Sequence, residues 1–297
     1  MFSLKLFDGK PIYWSRLIAL LLILGILFNS GAADAESSAT PVLPRPTAAN
    51  DAELPYTDGY GLLPKLPAFT ATESAAYLSA GKQACDSHCV TSFGQVLGVA
   101  DHVTSYSNCV STCIRPEFSF LDLKTGDVTV HQDDPKNPQL HYIGVTYQCV
   151  EYARKWWMKN KDITFGSIDS AYEILYLTEG EQIRTQQSFP LARSINGTAQ
   201  RAPRRGDLVV YYPDRDDPEW RHGHVAVVVA TDLEAGTVAL AEENYDNALW
   251  QDPKAFARQI RLFNVGGRYT LLDVPVNSAT NPKGGRISGW IYPLSER

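Results

Sequence analysis

No long run of lysine and arginine occurs in this chain, and its formal charge is −6. Sequence-independent binding to nucleic acid needs a basic footprint, so DNA and RNA are excluded as partners. No internal repeat is present, which removes repeat architectures. The apolar run from Leu17 to Phe28 is too short to span a bilayer as an ordinary helix. Strand and helix patterns do not alternate in βαβ order, which argues against a parallel, doubly wound sheet. What is present, 297 residues with 44% hydrophobic and 20% charged, suffices for a normal globular core.

The run Leu17 to Phe28 follows Lys5, Lys10 and Arg16 and precedes Ala33-Asp34-Ala35, the three parts of a secretory signal peptide. An uncleaved anchor and a buried helix are the other readings. Cleavage after Ala35 removes three basic and two acidic residues, leaving an acidic chain of formal charge −7 with no stable membrane span. The expected location is secreted or periplasmic. Residues 36–68 carry Pro41, Pro44, Pro46, Pro55, Pro64 and Pro67 and read as a linker or wrapping arm. Asn196-Gly197-Thr198 is an N-glycosylation acceptor pattern, of weight only in a eukaryotic secretory pathway.

Five cysteines carry the next step. Cys85 and Cys89 form one C-x-x-x-C pair, Cys109 and Cys113 a second, and Cys149 stands apart. A spacing of four puts both cysteines of a pair on one helix face. Two antiparallel helices over residues 69–118, the second capped by Asp101, would then be stapled by Cys85 to Cys113 and Cys89 to Cys109. A four-thiolate zinc site is the rival reading, disfavoured because such sites prefer C-x-x-C knuckles. Cys149 is left as an odd thiol.

Downstream, Leu121 and Leu123 precede Lys124-Thr125-Gly126-Asp127 and Val128 and Val130 follow it, a hairpin pattern. Val150, Ala153, Trp156 and Trp157 recur at helical spacing from Cys149, and a short helix is expected over Ser170 to Leu177. Beyond residue 205 the period changes to strands at 207–212, 224–230, 237–243, 258–263, 269–273 and 288–292. Helices first and strands second predict an α+β fold with an antiparallel sheet.

Cys149 opens its helix, where unpaired amide donors and positive potential favour a thiolate. A buried free cysteine acting as a small hydrophobe is the bland alternative. A thiolate nucleophile needs a base. His88 and His102 fall in the stapled segment, His131 and His141 in approaches to Cys149, and His222 and His224 beside a strand. His224 starts the apolar run Val225-Ala226-Val227-Val228-Val229, a rigid mount for an imidazole. Glu242, Glu243 and Asn244 end the next strand, where a neighbour could orient that imidazole.

Gln148-Cys149-Val150-Glu151-Tyr152-Ala153-Arg154, Gly206-Asp207-Leu208, Gly223-His224-Val225-Ala226 and Ala241-Glu242-Glu243-Asn244 resemble, in order and rough spacing, the motifs of the CHAP family of cysteine, histidine-dependent amidohydrolases and peptidases. Among them, amidase domains of the glutathionylspermidine synthetase/amidase type carry similar segments, as at Arg268-Tyr269-Thr270-Leu271 and Ser288-Gly289-Trp290-Ile291. The resemblance implies a papain-like fold over residues 119–297, with Cys149 as nucleophile, His224 as base and Glu242 as third member. Gln148, Arg154, Glu243 and Asn244 would lie at the substrate. Glu243 stands where the family usually has Gln, so two carboxylates compete for the histidine. No metal or organic cofactor is implied, and the partner is a peptide or amide substrate. The signal peptide favours cell-wall peptidoglycan peptides over glutathionylspermidine-type amides. A catalytically idle module gripping peptide or glycan, or an adaptor using the stapled segment, are readings from other functional classes.

Overall fold

A computed structural model describes residues 56–273 and 285–297. The expected signal peptide, residues 1–35, and the linker as far as residue 55 lie outside the described residues. The chain begins with a short strand β1 (Thr57–Asp58) and an extended arm whose Leu62 and Leu66 pack on the core. Tyr172 and Tyr176 donate hydroxyl hydrogen bonds to the Leu66 and Leu63 carbonyls at 3.2 and 2.6 Å, so the arm is strapped down. Helix α1 (Ala71–Ala84) follows, started by a capping box in which Thr70 and Glu73 satisfy each other's backbone amides. Only Gly81 of α1 is buried.

Both expected disulfides form, Cys85 with Cys113 and Cys89 with Cys109. The second expected helix does not. Residues between the cysteine pairs fold as the hairpin β2 (Val96–Ala100) and β3 (Val103–Tyr106). Asp101 caps nothing: it and His102 have φ of 51° and 62° and make the tight two-residue turn that the twist of a hairpin demands. The Val and Thr content of this stretch favours strand, and Cys109 and Cys113 lie in the loop after it.

A three-stranded sheet follows, β4 (Phe118–Asp122), β5 (Val128–His131) and β6 (Leu140–Val145), in the order β5-β4-β6. Then come α2 (Cys149–Lys161), β7 (Ile163–Thr164), a 3-10 helix (Ala171–Tyr176), β8 (Glu179–Gln182), β9 (Ser188–Ile195), β10 (Leu208–Tyr211), β11 (His224–Asp232), β12 (Thr237–Ala241), β13 (Arg258–Val265), β14 (Arg268–Leu272) and β15 (Ile287–Pro293). These strands form one sheet, β14-β13-β12-β11-β10-β15-β9-β8-β7, antiparallel throughout, with β1 added parallel to β9. The sheet curls until Tyr269 of β14 pairs with Ala199 just beyond β9.

The central strands are buried on both faces. Val225, Val227, Leu208 and Val210 meet Tyr152, Ala153, Trp156 and Trp157 of α2, while Ala226, Val228, Val209 and Leu240 meet Trp290 and Tyr292. Two-sided burial explains runs of apolar residues without alternation. Asn196 is tied into the sheet, its amide nitrogen donating to the Leu271 and Ile287 carbonyls. Among the described residues no helix is long and apolar enough to cross a membrane.

Candidate active site

Strand β6 delivers the chain to α2 through a sharp turn in which Tyr147 takes a left-handed φ of 60°. At Gly144 an added Cβ would approach the Glu151 backbone to 3.1 Å, so β6 packs closely against the first turn of α2. Gln148 is the N-cap residue and Cys149 the first helical residue, a free thiol, partly exposed. The unpaired amides of a helix's first turn surround such a position.

His224 opens β11 and is buried. Gly223 before it has φ +67°, and a Cβ there would collide with the Tyr211 carbonyl at 2.4 Å, so the approach to His224 needs glycine. His224 Nε2 lies 2.7 Å from Glu242 Oε2, leaving Nδ1 to face other groups. Glu242 also accepts from Arg258 Nε at 2.5 Å, and Arg258 Nη1 reaches Asp273 at 2.6 Å. Arg258 Nη2 donates to the Tyr211 hydroxyl at 2.9 Å.

The electrostatics follow from these contacts. Burial alone would lower the His224 pKa, but the charge of Cys149, a hydrogen bond to it, and Glu242 outweigh burial and raise it to about 9. Burial would raise Glu242, but Arg258 and His224 overcome this and bring it down to about 2. A buried imidazole whose proton affinity is raised by a neighbouring thiol and a carboxylate is the arrangement a cysteine-histidine dyad requires.

Glu242 and Glu243 point different ways. Glu243, expected beside substrate, is instead buried against Lys155 Nζ at 3.2 Å and accepts the Tyr106 amide at 2.7 Å. Lys155 also pairs with Glu151 at 3.1 Å, and burial together with Glu151 pushes the Glu243 carboxyl well up despite Lys155. Asn244 reaches the site only through Gln148, donating to its Oε1 at 2.8 Å. Gln148 Nε2 in turn donates to the Cys113 carbonyl at 3.0 Å, so its amide holds the disulfide loop. Arg154 is buried and hydrogen-bonded to the Ile143 and Gly166 carbonyls, and burial lowers its pKa to about 10. Cys149, Gln148 and Arg154 line one cavity of about 380 Å³, whose other wall is Phe69 with Tyr77 and Leu78 of α1. Among the described residues no cluster of His, Cys, Asp and Glu is placed to hold a metal.

Residues 140–244 match the CHAP domain. The match covers about a third of the chain. Its span runs from the start of β6 to Asn244 and so contains Cys149, His224 and Glu242. Trypanothione synthetase of Crithidia fasciculata is 26% identical over 182 residues, 61% of this chain and 24% of that protein. The bifunctional glutathionylspermidine synthetase/amidase of Escherichia coli (strain K12) is 30% identical over 132 residues, 44% of this chain and 20% of that protein. Glutathionylspermidine synthase of Crithidia fasciculata is 30% identical over 137 residues, covering 18% of its length. The chain therefore spans less than a quarter of these relatives.

Three contributors to the site lie outside the CHAP span: α1, the disulfide loop, and Arg258. Arg258 had no local mark in the sequence. Its place follows from strand register, since it pairs with Leu240 two residues before Glu242.

Proposed function

We propose that this chain is an exported cysteine amidase or endopeptidase that hydrolyses amide bonds through Cys149, His224 and Glu242. The observation that carries the reading is the contact of His224 with Glu242 at 2.7 Å, in a histidine whose proton affinity is also raised by Cys149. Cys149 gives its proton to His224, and the thiolate attacks the amide carbonyl. Amides at the start of α2 stabilise the oxyanion. The imidazolium then protonates the leaving amine, and a thioester remains on Cys149. His224 takes a proton from water, which cleaves the thioester and restores the thiol. Glu242, fixed by Arg258, orients the ring and stabilises its charged form.

The substrate we favour is peptidoglycan stem or cross-bridge peptide, including D-alanyl-glycyl bonds. The signal-peptide pattern and the paired disulfides support an oxidising, exported location, and compartment selects among amides that one catalytic constellation can cut. A second reading, an amide of the glutathionylspermidine type, is favoured by the relatives named for that compound. Purified sacculi and glutathionylspermidine are the two test substrates. New amino groups and shortened muropeptides released by the wild-type protein, and not by Cys149→Ala, support the first. Hydrolysis of glutathionylspermidine without release from any sacculus supports the second.

A further inference from the structure

The cavity onto which Cys149 opens is also lined by Arg221 and His222, from the loop that leads into β11. Arg154 Nε, Arg221 Nε and His222 Nε2 are all buried there without a hydrogen-bond partner. No side-chain oxygen lining the cavity is left in that state. These nitrogens are closed off from the open cavity, and Arg201 Nε is left in the same state elsewhere, so the group the cavity offers to a ligand is the Arg221 side chain, which lines it without an acid partner among the described residues.

Three acids line the cavity, Glu73, Glu151 and Asp169, and Glu73 feels the Arg221 charge without forming an ion pair with it. Glu151 is held by Lys155, and Glu73 Oε2 is taken by the Thr70 amide and hydroxyl in the α1 cap. Asp169 is exposed to solvent. Among the described residues Arg221 makes no ion pair. Its guanidinium is instead fixed over the Phe69 ring at 4.5 Å and the Tyr77 ring at 5.8 Å. The His222 ring is held by Ser170 Oγ at 2.8 Å and by the same two aromatic rings, at 5.0 and 4.5 Å. Burial and the Arg221 charge lower the His222 pKa to about 4, so this imidazole offers a hydrogen bond and Arg221 supplies the charge.

We propose that the Arg221 and His222 end of this cavity is a subsite for a carboxylate carried by the substrate, walled by Phe69 and Tyr77. A fixed guanidinium with free N–H groups is well suited to a carboxylate, and the cavity has the size of a small-ligand pocket. The subsite rests on the reading of Cys149 as the nucleophile of the same cavity. It makes the disulfide-tethered segment a specificity element, because Phe69 and Tyr77 lie outside the CHAP span.

The test uses pairs of alkylating probes, N-iodoacetyl-ω-amino acids of increasing chain length and their carboxamides, on the full chain, with labelling of Cys149 followed by mass. At one chain length or more the acid should label at least about tenfold faster than its amide, the scale of a charge-assisted hydrogen bond. Arg221→Gln should bring that ratio to about one, while Arg221→Lys should keep part of it. Equal rates for acid and amide at every length in the wild-type protein, or a preference that survives Arg221→Gln, would overturn the subsite. If Cys149→Ala still cleaves amides, the nucleophile reading falls, and the acid-to-amide ratio still reports on the subsite.

Discussion

Two neighbouring glutamates leave the end of β12 in different directions, and the chemistry depends on which one meets the imidazole. Glu242 contacts His224 and Arg258, while Glu243 is spent on Lys155 and the Tyr106 amide. Glu242→Gln should therefore lower kcat by about a hundredfold or more, and Glu243→Gln should cost less kcat while lowering stability. The opposite order of kcat values would place the orienting role on Glu243. In the proposed mechanism Cys149 and His224 act as one unit, so Cys149→Ala and His224→Ala should each lose at least about a thousandfold, and the double variant should be scarcely worse. Multiplying losses would mean that the two do not share a step. The same contacts set the pH response. His224 is raised from 6.5 to about 9, so its contribution to stability is complete below pH 6.5 and is lost as pH rises through about 9. Glu242 is lowered from 4.5 to about 2, so its contribution is complete above pH 4.5 and is lost as pH falls through about 2. Activity should fall on the alkaline side near pH 9, where the coupled dyad loses its proton, and Glu242→Gln should move that limb to lower pH. A limb that stays in place in the variant would detach Glu242 from the imidazole.

Helix α1 shows how an exposed element is held in place. A 14-residue helix with one buried residue is marginal by itself, so its position depends on the two disulfides beyond its C-terminus and on Phe69 and Tyr77. The disulfides close loops with sequence separations of 28 and 20 residues, for which chain entropy gives about 3–4 kcal/mol each. Replacing Cys89 and Cys109 together by Ser should lower the unfolding free energy by that order in a denaturant titration. An unchanged midpoint would show that the loop is held by its hydrogen bonds to Gln148 and Asn244 alone. The cysteine spacing revealed the pairing because it constrains which side chains can meet. It misled on the second helix because a four-residue spacing also fits a loop, while the Val and Thr residues of β2 and β3 and the left-handed turn at Asp101 and His102 were the stronger local signals. Helix α2 and the strands of the curled sheet were legible for the opposite reason: their apolar stripe and runs are long, and burial on both faces enforces them.

At the scale of the molecule, the site is assembled from an α2 terminus, two adjacent strands of the curled sheet and an arginine from a third. Arg258 illustrates what a linear reading misses, since only the pairing of β12 with β13 brings it to Glu242. Arg258→Met would leave the buried Glu242 and Asp273 carboxylates short of their cation and should cost about 3–5 kcal/mol of stability. A loss below about 1 kcal/mol in denaturant unfolding would contradict that account of the buried network. The central claim is that Cys149 forms a covalent bond to the acyl group it cleaves. Its most direct measurement is intact-protein and peptide mass after rapid acid quenching with substrate. The account predicts an acyl adduct on the peptide containing Cys149, absent from Cys149→Ala. Undiminished hydrolysis by Cys149→Ala, or an adduct confined to another residue, would contradict it.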